Sequence, residues 1–338
     1  MSDIKPTDPR VLVRASERGP DFAVGHPYDP HVESHGWILS RLAGLGRIAV
    51  NLQWLPPGKH SAPLHVHHRE EEWVYVVEGR GVAELATVEH AIGPGDFLGF
   101  PPGVAHHVRN DSGERLVLLV GGEVIPDVDV ADFPRLGRRL VRIGGRIAIY
   151  PFDAEVPFFP PGGPQELPAE LLGPRAQQEP ARVLVRESER KPALEFHHPQ
   201  NRGASEVHLT ALSRPAGLRR VAVVHARVPA GKDSFVFHVH QRDEEWLFIL
   251  SGRGVAELGD REVEIGPGDF LGFPARGPAH NLRASPGEEL VYVQGGDAWN
   301  KDSIDIVDFP RLGLRRTFVG TRDALTFPLD MAIERGGG

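Results

Sequence analysis

The chain contains no cysteine among its 338 residues. Disulfide bonds, thiolate metal sites and cysteine nucleophiles are therefore excluded. Its longest apolar runs, such as LVLLV at 116–120, have the length of a strand, well short of the roughly 18 residues that cross a bilayer. The first residues, MSDIKPTDPR, include no apolar segment of the kind found in a secretory signal. We therefore expect a cytoplasmic protein.

A run of basic residues is also missing. Lys and Arg total 38, whereas Asp and Glu total 46, and the net charge is −8. A chain of this charge is a poor candidate for binding a phosphate backbone. We expect its partner to be a small-molecule substrate, and neither a nucleic acid nor a membrane.

Glycine and proline, in contrast, are abundant, with 39 and 31 residues. Between them lie short aliphatic, β-branched and aromatic runs, for example WVYVVEG at 73–79 and EWLFILSG at 245–252. Turn signals recur about every ten residues, which is typical of an all-β sandwich or barrel. No long apolar pattern has a helical period. We therefore predict an all-β fold built from barrels of about eight or more short antiparallel strands.

The sequence also repeats itself, with its landmarks in the same order. Four segments recur at spacings of 172 to 176 residues: RVLVRASER from Arg10 and RVLVRESER from Arg182, GRGVAEL from Gly79 and Gly252, IGPGDFLGFP from Ile92 and Ile265, and DFPRLG from Asp132 and Asp308. This period is too long for a solenoid and indicates two copies of one domain. We expect an N-terminal barrel at 1–156, a Pro- and Gly-rich linker at 157–180 and a C-terminal barrel at 181–338.

Four residues of the first copy have the types and spacing of metal ligands. His65 and His67 are two residues apart, so on an extended strand they share a face and can bind one ion. Glu72 opens the next strand, where its carboxylate can join them. His106, which follows a later turn, supplies a fourth ligand from a distant strand.

The second copy repeats this set as His238, His240, Glu245 and His280. Two matching sets in one chain predict one divalent transition metal ion in each barrel. Three imidazoles and a carboxylate, without sulfur, suit Fe, Mn, Zn, Ni or Cu and do not choose among them. Six-coordination would leave two positions open, enough for a chelating substrate or for water and O₂.

Neighbouring carboxylates leave an alternative open. Glu70, Glu71 and Glu244 lie close enough in sequence to compete as ligands. Glu72 and Glu245 are favoured because six residues separate each from a motif glycine and each directly precedes a tryptophan.

This pattern resembles the cupin superfamily, whose two motifs are G-x5-6-H-x-H-x3-4-E-x6-G and G-x5-P-x-G-x2-H-x3-N. The first copy matches at Gly58, His65, His67, Glu72, Gly79, Gly95, Pro101, Gly103, His106 and Asn110. The second copy matches at Gly231, His238, His240, Glu245, Gly252, Gly268, Pro274 and His280. It departs by one inserted residue in the turn and by Ala284 at the asparagine position. The resemblance implies a bicupin with two tandem double-stranded β-helix, or jelly-roll, barrels.

The resemblance implies three functions. A metal-dependent enzyme acting on a small oxygen-rich substrate is favoured, with dioxygenase-type oxidoreductase chemistry, because flavonol-type dioxygenases share the H-x-H-x4-E spacing. The first alternative is a sugar or sugar-phosphate isomerase similar to the phosphomannose-isomerase-like cupins, although neither motif supplies a Lys or Arg cluster for a phosphate. The second alternative is a non-catalytic small-molecule binding or storage bicupin. Storage relatives have typically lost the ligands that this chain keeps. No residue is assigned as catalytic.

The residues beside the ligands refine these alternatives. The oxalate decarboxylase branch carries an arginine three residues before the first ligand histidine, where this chain has Ala62 and Phe235. Oxalate is therefore disfavoured. Phe235 and Phe237 are expected on the strand face opposite His238, in packing roles. An aromatic barrel lining would favour a phenolic substrate and O₂, and an Arg-rich lining a sugar phosphate. Exposed barrel edges permit a homo-oligomer.

Overall fold

The computed structural model describes residues 11–125, 128–154, 183–191, 193–201, 203–297, 304–320 and 325–331. Nearly all regular elements in these ranges are strands, and every strand pair is antiparallel, which confirms the predicted all-β fold. The predicted linker, 157–180, lies outside the described residues, so the domain boundaries stay a prediction.

The two halves have the same strands in the same order. The first half forms β1 (Leu12–Val13), β2 (Phe22–His26), β3 (Asp29–Ile38), β4 (Ile48–Leu55), β5 (Val66–His67), β6 (Glu72–Glu78), β7 (Gly81–Leu85), β8 (Val88–Ile92), β9 (Phe97–Phe100), β10 (His106–Arg109), β11 (Leu116–Glu123), β12 (Val128–Phe133), β13 (Arg138–Ile143) and β14 (Arg146–Pro151).

The second half repeats this series along the chain. Its strands are β15 (Leu184–Val185), β16 (Leu194–Phe196), β17 (Val207–Ala211), β18 (Val221–Val228), β19 (Val239–His240), β20 (Glu245–Ser251), β21 (Gly254–Leu258), β22 (Arg261–Ile265), β23 (Phe270–Phe273), β24 (His280–Ala284), β25 (Leu290–Asp297), β26 (Ile304–Phe309), β27 (Leu314–Val319) and β28 (Leu325–Pro328). The predicted duplication is thus confirmed strand by strand.

Helical structure is limited to short turns in the described residues. The α-helix α1 covers Leu39–Leu42, and single 3₁₀ turns cover Ala15–Glu17, Pro134–Leu136, Phe152–Ala154, Glu187–Glu189, Pro310–Leu312 and Leu329–Met331. Across the described ranges, no helix has the length and apolar character needed to cross a membrane.

Each half folds into a barrel of three sheets, and the two barrels exchange their first strands. The large sheet of the first barrel has the order β15-β9-β6-β11-β4-β3-β2, and that of the second has the order β1-β23-β20-β25-β18-β17-β16. Leu12 of β1 lies opposite Leu271, and Leu184 of β15 lies opposite Leu98. Each barrel is therefore completed by the other half of the chain.

The central strands β6 and β20 are buried on both faces. Trp73 and Tyr75 point into the hydrophobic core that the two barrels share, whereas Val74 and Val76 point into the core of the first barrel. Because side chains alternate along a strand, Glu72 points to the same side as Val74 and Val76, into its own barrel.

The two tryptophans that follow these glutamates meet between the barrels. The rings of Trp73 and Trp246 are fully buried and stack with their centroids 5.2 Å apart and their planes 8° apart. Gly121 and Gly295 lie against them, where a Cβ atom would come 2.4 Å from the Trp73 ring and 2.6 Å from the Trp246 ring. Only glycine leaves room for these rings, since real Cβ atoms do not approach other atoms so closely.

Candidate metal centre

The predicted ligands of the first barrel come together from three strands. His65 and His106 lie opposite each other and exchange backbone hydrogen bonds, with N···O distances of 3.1 and 2.9 Å. His67 belongs to β5 and Glu72 opens β6. The Nε2 atoms of His65, His67 and His106 lie 3.4, 3.4 and 3.1 Å from one carboxylate oxygen, Glu72 Oε2.

The second barrel repeats this convergence. The Nε2 atoms of His238, His240 and His280 lie 3.7, 3.6 and 3.0 Å from Glu245 Oε2. Each ligand set predicted from the sequence is thus brought together around one carboxylate. Ligand atoms of His65, His67 and Glu72 lie within 4.8 Å of one another. So do those of His238, Glu245 and His280.

The other ring nitrogen of these histidines is already engaged. Nδ1 lies within hydrogen-bond distance of a backbone carbonyl in four of them: His65 with Pro63 O at 2.9 Å, His106 with Val104 O at 2.9 Å, His238 with Val236 O at 2.9 Å and His280 with Pro278 O at 3.3 Å. A carbonyl can only accept, so Nδ1 carries the hydrogen and the neutral ring presents its Nε2 lone pair. This tautomer is the one that binds a metal ion through Nε2.

Buried aspartates orient the two remaining histidines. Asp129 Oδ2 lies 3.3 Å from His67 Nδ1, and Asp305 Oδ2 lies 2.7 Å from His240 Nδ1. Both aspartates are buried. The sequence interpretation missed them because they lie on β12 and β26, far along the chain from the histidines. A signal was present, since each stands three residues before the repeated DFPRLG.

In the ligand set of the first barrel, the pKa shifts favour an ionised Glu72 and a protonated His67. Burial opposes the charge on His67, but hydrogen bonds with Asp129 and Glu72 outweigh it and raise the pKa of His67 to about 10. Burial and the nearby His65 lower the pKa of His106 to about 4. Burial would raise the pKa of Glu72, yet the neighbouring histidines, with protonated His67 donating to its carboxylate, hold that pKa well below the ordinary value. A metal ion would replace the proton on His67.

The alternative carboxylates have other partners. Glu71 accepts backbone hydrogen bonds from Arg219, Arg220 and Val221 at 2.8–3.2 Å. It therefore binds the other barrel. Glu70 forms an ion pair with Arg142.

Glu244 of the second half binds the first half in the same way. Its carboxylate accepts hydrogen bonds from the backbone N–H groups of Gly46, Arg47 and Ile48 at 2.8, 2.9 and 3.3 Å. Glu71 and Glu244 thus face away from the histidines of their own barrels, on the opposite side of the strand from Glu72 and Glu245.

Aromatic rings surround the second site. The expectation that Phe235 lies on the face opposite His238 is wrong, because their ring centroids are 5.0 Å apart. The chain bends at 234–235 and regular strand geometry begins only at Val239, so alternation does not extend back to Phe235. Phe309 also lies 6.3 Å from the His238 ring. Phe237 instead lies under Arg311, 4.2 Å from its guanidinium.

The two sites differ in how the glutamate is held. Gln294 donates a hydrogen bond from Nε2 to Glu245 Oε1 at 2.6 Å. The corresponding residue of the first barrel is Val120, which has no such donor. Glu245 is also less exposed than Glu72, at 14% against 26% of the side chain.

Comparisons with known proteins agree with this architecture. The profile of the cupin domain matches residues 51–122 and 224–294. Among curated proteins, no relative matches the sequence. A solved structure from Acidithiobacillus ferrooxidans, proposed to be a sugar phosphate isomerase, is 35% identical and covers 43% of this chain and 95% of its own, with a TM-score of 0.42.

Two longer matches extend over both halves. A proposed glyoxylate-induced protein of Pseudomonas aeruginosa is 17% identical and covers 82% of this chain and 84% of its own, with a TM-score of 0.52. Oxalate decarboxylase of Bacillus subtilis is 15% identical and covers 87% of this chain and 77% of its own, with a TM-score of 0.53. At these identities the likeness establishes the shared tandem fold alone.

Proposed function

Because the chain belongs to the cupin superfamily and carries two cupin domains in tandem, we propose that each barrel binds one divalent transition metal ion and that the protein is a metal-dependent enzyme. The ligands would be His65, His67, Glu72 and His106 in the first barrel, and His238, His240, Glu245 and His280 in the second. The observation that carries the proposal is the convergence of three Nε2 atoms on one carboxylate oxygen, twice, while carbonyls and aspartates engage every Nδ1.

The substrate we propose is a small, oxygen-rich molecule, and the chemistry is that of a dioxygenase-type oxidoreductase. When bound, the metal ion supplies Lewis-acid activation of the substrate's oxygen atoms and, if it is redox-active, the electron transfer that O₂ chemistry requires. Phe235 and Phe309 support this choice because they give the second site an aromatic wall that excludes water and suits an unsaturated substrate.

Neighbouring side chains fix the orientation of the proposed ligands in the second barrel. Asp305 orients His240, and Gln294 orients Glu245. Phe273 stacks on His280 with centroids 3.5 Å apart and planes 8° apart, which blocks rotation of that ring. A site fixed in this way loses little conformational entropy when the metal and substrate bind.

A sugar-phosphate isomerase is the second candidate. The observation in its favour is Arg316, a cation in the same cross-strand row as His240, through Val307, and therefore on the face that carries the candidate metal ligands. Neither candidate involves nucleic acid or a membrane as partner, and the cytoplasmic location inferred from the sequence stays a prediction.

Metal content tests the proposal directly. Protein purified without added metal should contain about two equivalents of metal per chain by elemental analysis. His65→Ala and His238→Ala should each lose about one equivalent, and the double variant both. Protein never exposed to chelator that contains no stoichiometric metal would overturn the proposal.

The reaction class is tested next. Oxygen uptake with a flavonol would support dioxygenase chemistry, particularly if the metal is Fe, Mn, Ni or Cu. Interconversion of mannose 6-phosphate and fructose 6-phosphate, followed by NMR, would instead favour the isomerase. Stoichiometric metal without either reaction would favour the non-catalytic binding protein and would contradict the enzymatic part of the proposal.

A further inference from the structure

A row of three paired residues crosses the second barrel from its candidate metal ligands to an arginine. His240 lies opposite Val307, and Val307 lies opposite Arg316. Residues directly opposite in antiparallel strands point to the same face of the sheet. Since His240 points to Glu245, Arg316 lies on the face that carries the candidate metal ligands.

Arg316 has no acidic partner among the residues that the structure describes. Its Nε atom is buried and makes no hydrogen bond, and its guanidinium lies 5.0 Å from the centroid of the Phe318 ring. A buried donor without an acceptor costs about 1–3 kcal/mol, and such a group therefore needs an explanation.

The first barrel lacks this feature. The residue at the same register, opposite Ala131 and in the row of His67, is Leu140. Arg142 in that sheet is ion-paired with Glu70 and lies 3.6 Å from Asp129. Arg138 covers the Tyr28 ring at 4.1 Å. In the described sheet of the first barrel, no arginine on this face resembles Arg316.

Arg316 also lies beside the residues that line the second site. His198 is buried, and its ring centroid lies 4.9 Å from that of Phe235, which in turn lies 5.0 Å from that of His238. Burial lowers the pKa of His198, and the charge of Arg316 lowers it further. His198 Nδ1 accepts a hydrogen bond from the Gln200 backbone at 3.3 Å, so the neutral ring carries its hydrogen on Nε2. The region thus offers a cation, a neutral donor and aromatic walls.

We propose that Arg316 binds the anionic end, a carboxylate or a phosphate, of a small substrate whose oxygen-rich end faces the metal ligands of the second barrel. Neighbouring strands are about 4.8 Å apart, so the backbones of His240 and Arg316 are separated by about 10 Å, and their side chains can hold the two ends of one small molecule. The proposal rests on the proposed function and deepens it, because it also makes the second barrel the one that binds substrate.

The test is anion binding measured by isothermal titration calorimetry on the metal-loaded protein, with benzoate and with inorganic phosphate as probes. Arg316→Leu places in the second barrel the residue that the first barrel has at this register. It should weaken binding of the preferred probe by tenfold or more, with metal content and melting temperature unchanged. Arg316→Lys, which keeps the charge, should restore part of the affinity.

Arg283→Leu is the matched control. It removes the same charge from the same barrel, but Arg283 is 42% exposed and paired with Glu262, and binding should not change. Tighter binding of benzoate would identify a carboxylate substrate, and tighter binding of phosphate a sugar phosphate. If neither probe binds the wild-type protein, or if Arg316→Leu binds as wild type does, the Arg316 proposal is wrong. The metal content of the same samples shows separately whether the proposed metal sites hold.

Discussion

Two buried carboxylates link the barrels, and replacing either should destabilise the whole chain. Glu71 is 2% exposed and accepts hydrogen bonds from three backbone N–H groups at 219–221, where the chain enters β18. Glu244 accepts three at 46–48, where the chain enters β4. The perturbation is Glu71→Gln, which keeps the shape of the side chain and removes its charge.

The magnitude follows from the three donors. A hydrogen bond to a charged group contributes about 1.5–3 kcal/mol and a neutral one about 0.5–1.5 kcal/mol, so each bond loses about 1 kcal/mol. The amide of glutamine also turns an NH₂ group toward an N–H donor. We therefore expect Glu71→Gln to lower the free energy of unfolding by about 3 kcal/mol, and Glu244→Gln to do the same.

Urea unfolding followed by circular dichroism measures this loss. Glu78→Gln is the control: it makes the same change in the same strand, but Glu78 is 63% exposed and lies 3.5 Å from Arg115. Its effect should stay within about 0.5 kcal/mol. If Glu71→Gln were as mild as Glu78→Gln, the reasoning that these carboxylates join the barrels would be refuted.

Three further predictions concern the site and its surroundings. Asp305→Asn should weaken metal binding in the second barrel by about 10–100-fold, because His240 loses the acceptor that orients it. Metal uptake at pH 7 should release about one proton from the first barrel, since the pKa of His67 is about 10 before the metal binds. His107→Phe should stabilise the protein at pH 5 by about 2 kcal/mol. Burial and His60 lower the pKa of His107 to about 4, so the unfolded chain binds a proton that the folded chain does not. Stability is therefore lost as the pH falls from about 6.5 toward about 4.

Each of these has its own check. Metal affinity is compared by chelator competition, and an Asp305→Asn protein with wild-type affinity would contradict the orienting role. Proton release is measured by calorimetry in two buffers of different ionisation enthalpy, and His67→Gln should abolish it. Above pH 7, His107→Phe should stabilise the protein only by removing two buried ring nitrogens that lack hydrogen-bond partners. A stabilisation that does not depend on pH would contradict the titration argument.

Much of the candidate site was predictable because the residues proposed as ligands follow local rules. His65 and His67 share a face through strand alternation, and duplication repeats the pattern at His238 and His240. Asp129 and Asp305 were missed because only the pairing of β5 with β12, and of β19 with β26, brings them to these rings. Phe235 was misplaced because alternation was extended across a bend.

The sequence could not predict that the barrels exchange their first strands, for a different reason. RVLVRASER and RVLVRESER recur because the chain is duplicated, and this recurrence is the same whichever barrel each segment pairs with. Glu71 and Glu72 are likewise adjacent carboxylates that composition does not distinguish. Their side chains point to opposite sides because side chains alternate along the extended chain that enters β6. Glu72 therefore points into its own barrel, and Glu71 points to the other barrel.

The exchange of β1 and β15 also sets the order in which a ribosome can complete this protein. The first barrel has no edge partner for Phe97 and Leu98 until residues 184–185 have emerged. Strand β1 has its partners at Phe270 and Leu271 and must wait for most of the second half to be synthesised. Strand β1 therefore stays unpaired until most of the second half has been made, and we expect chaperone capture and proteolysis of incomplete chains to concentrate there.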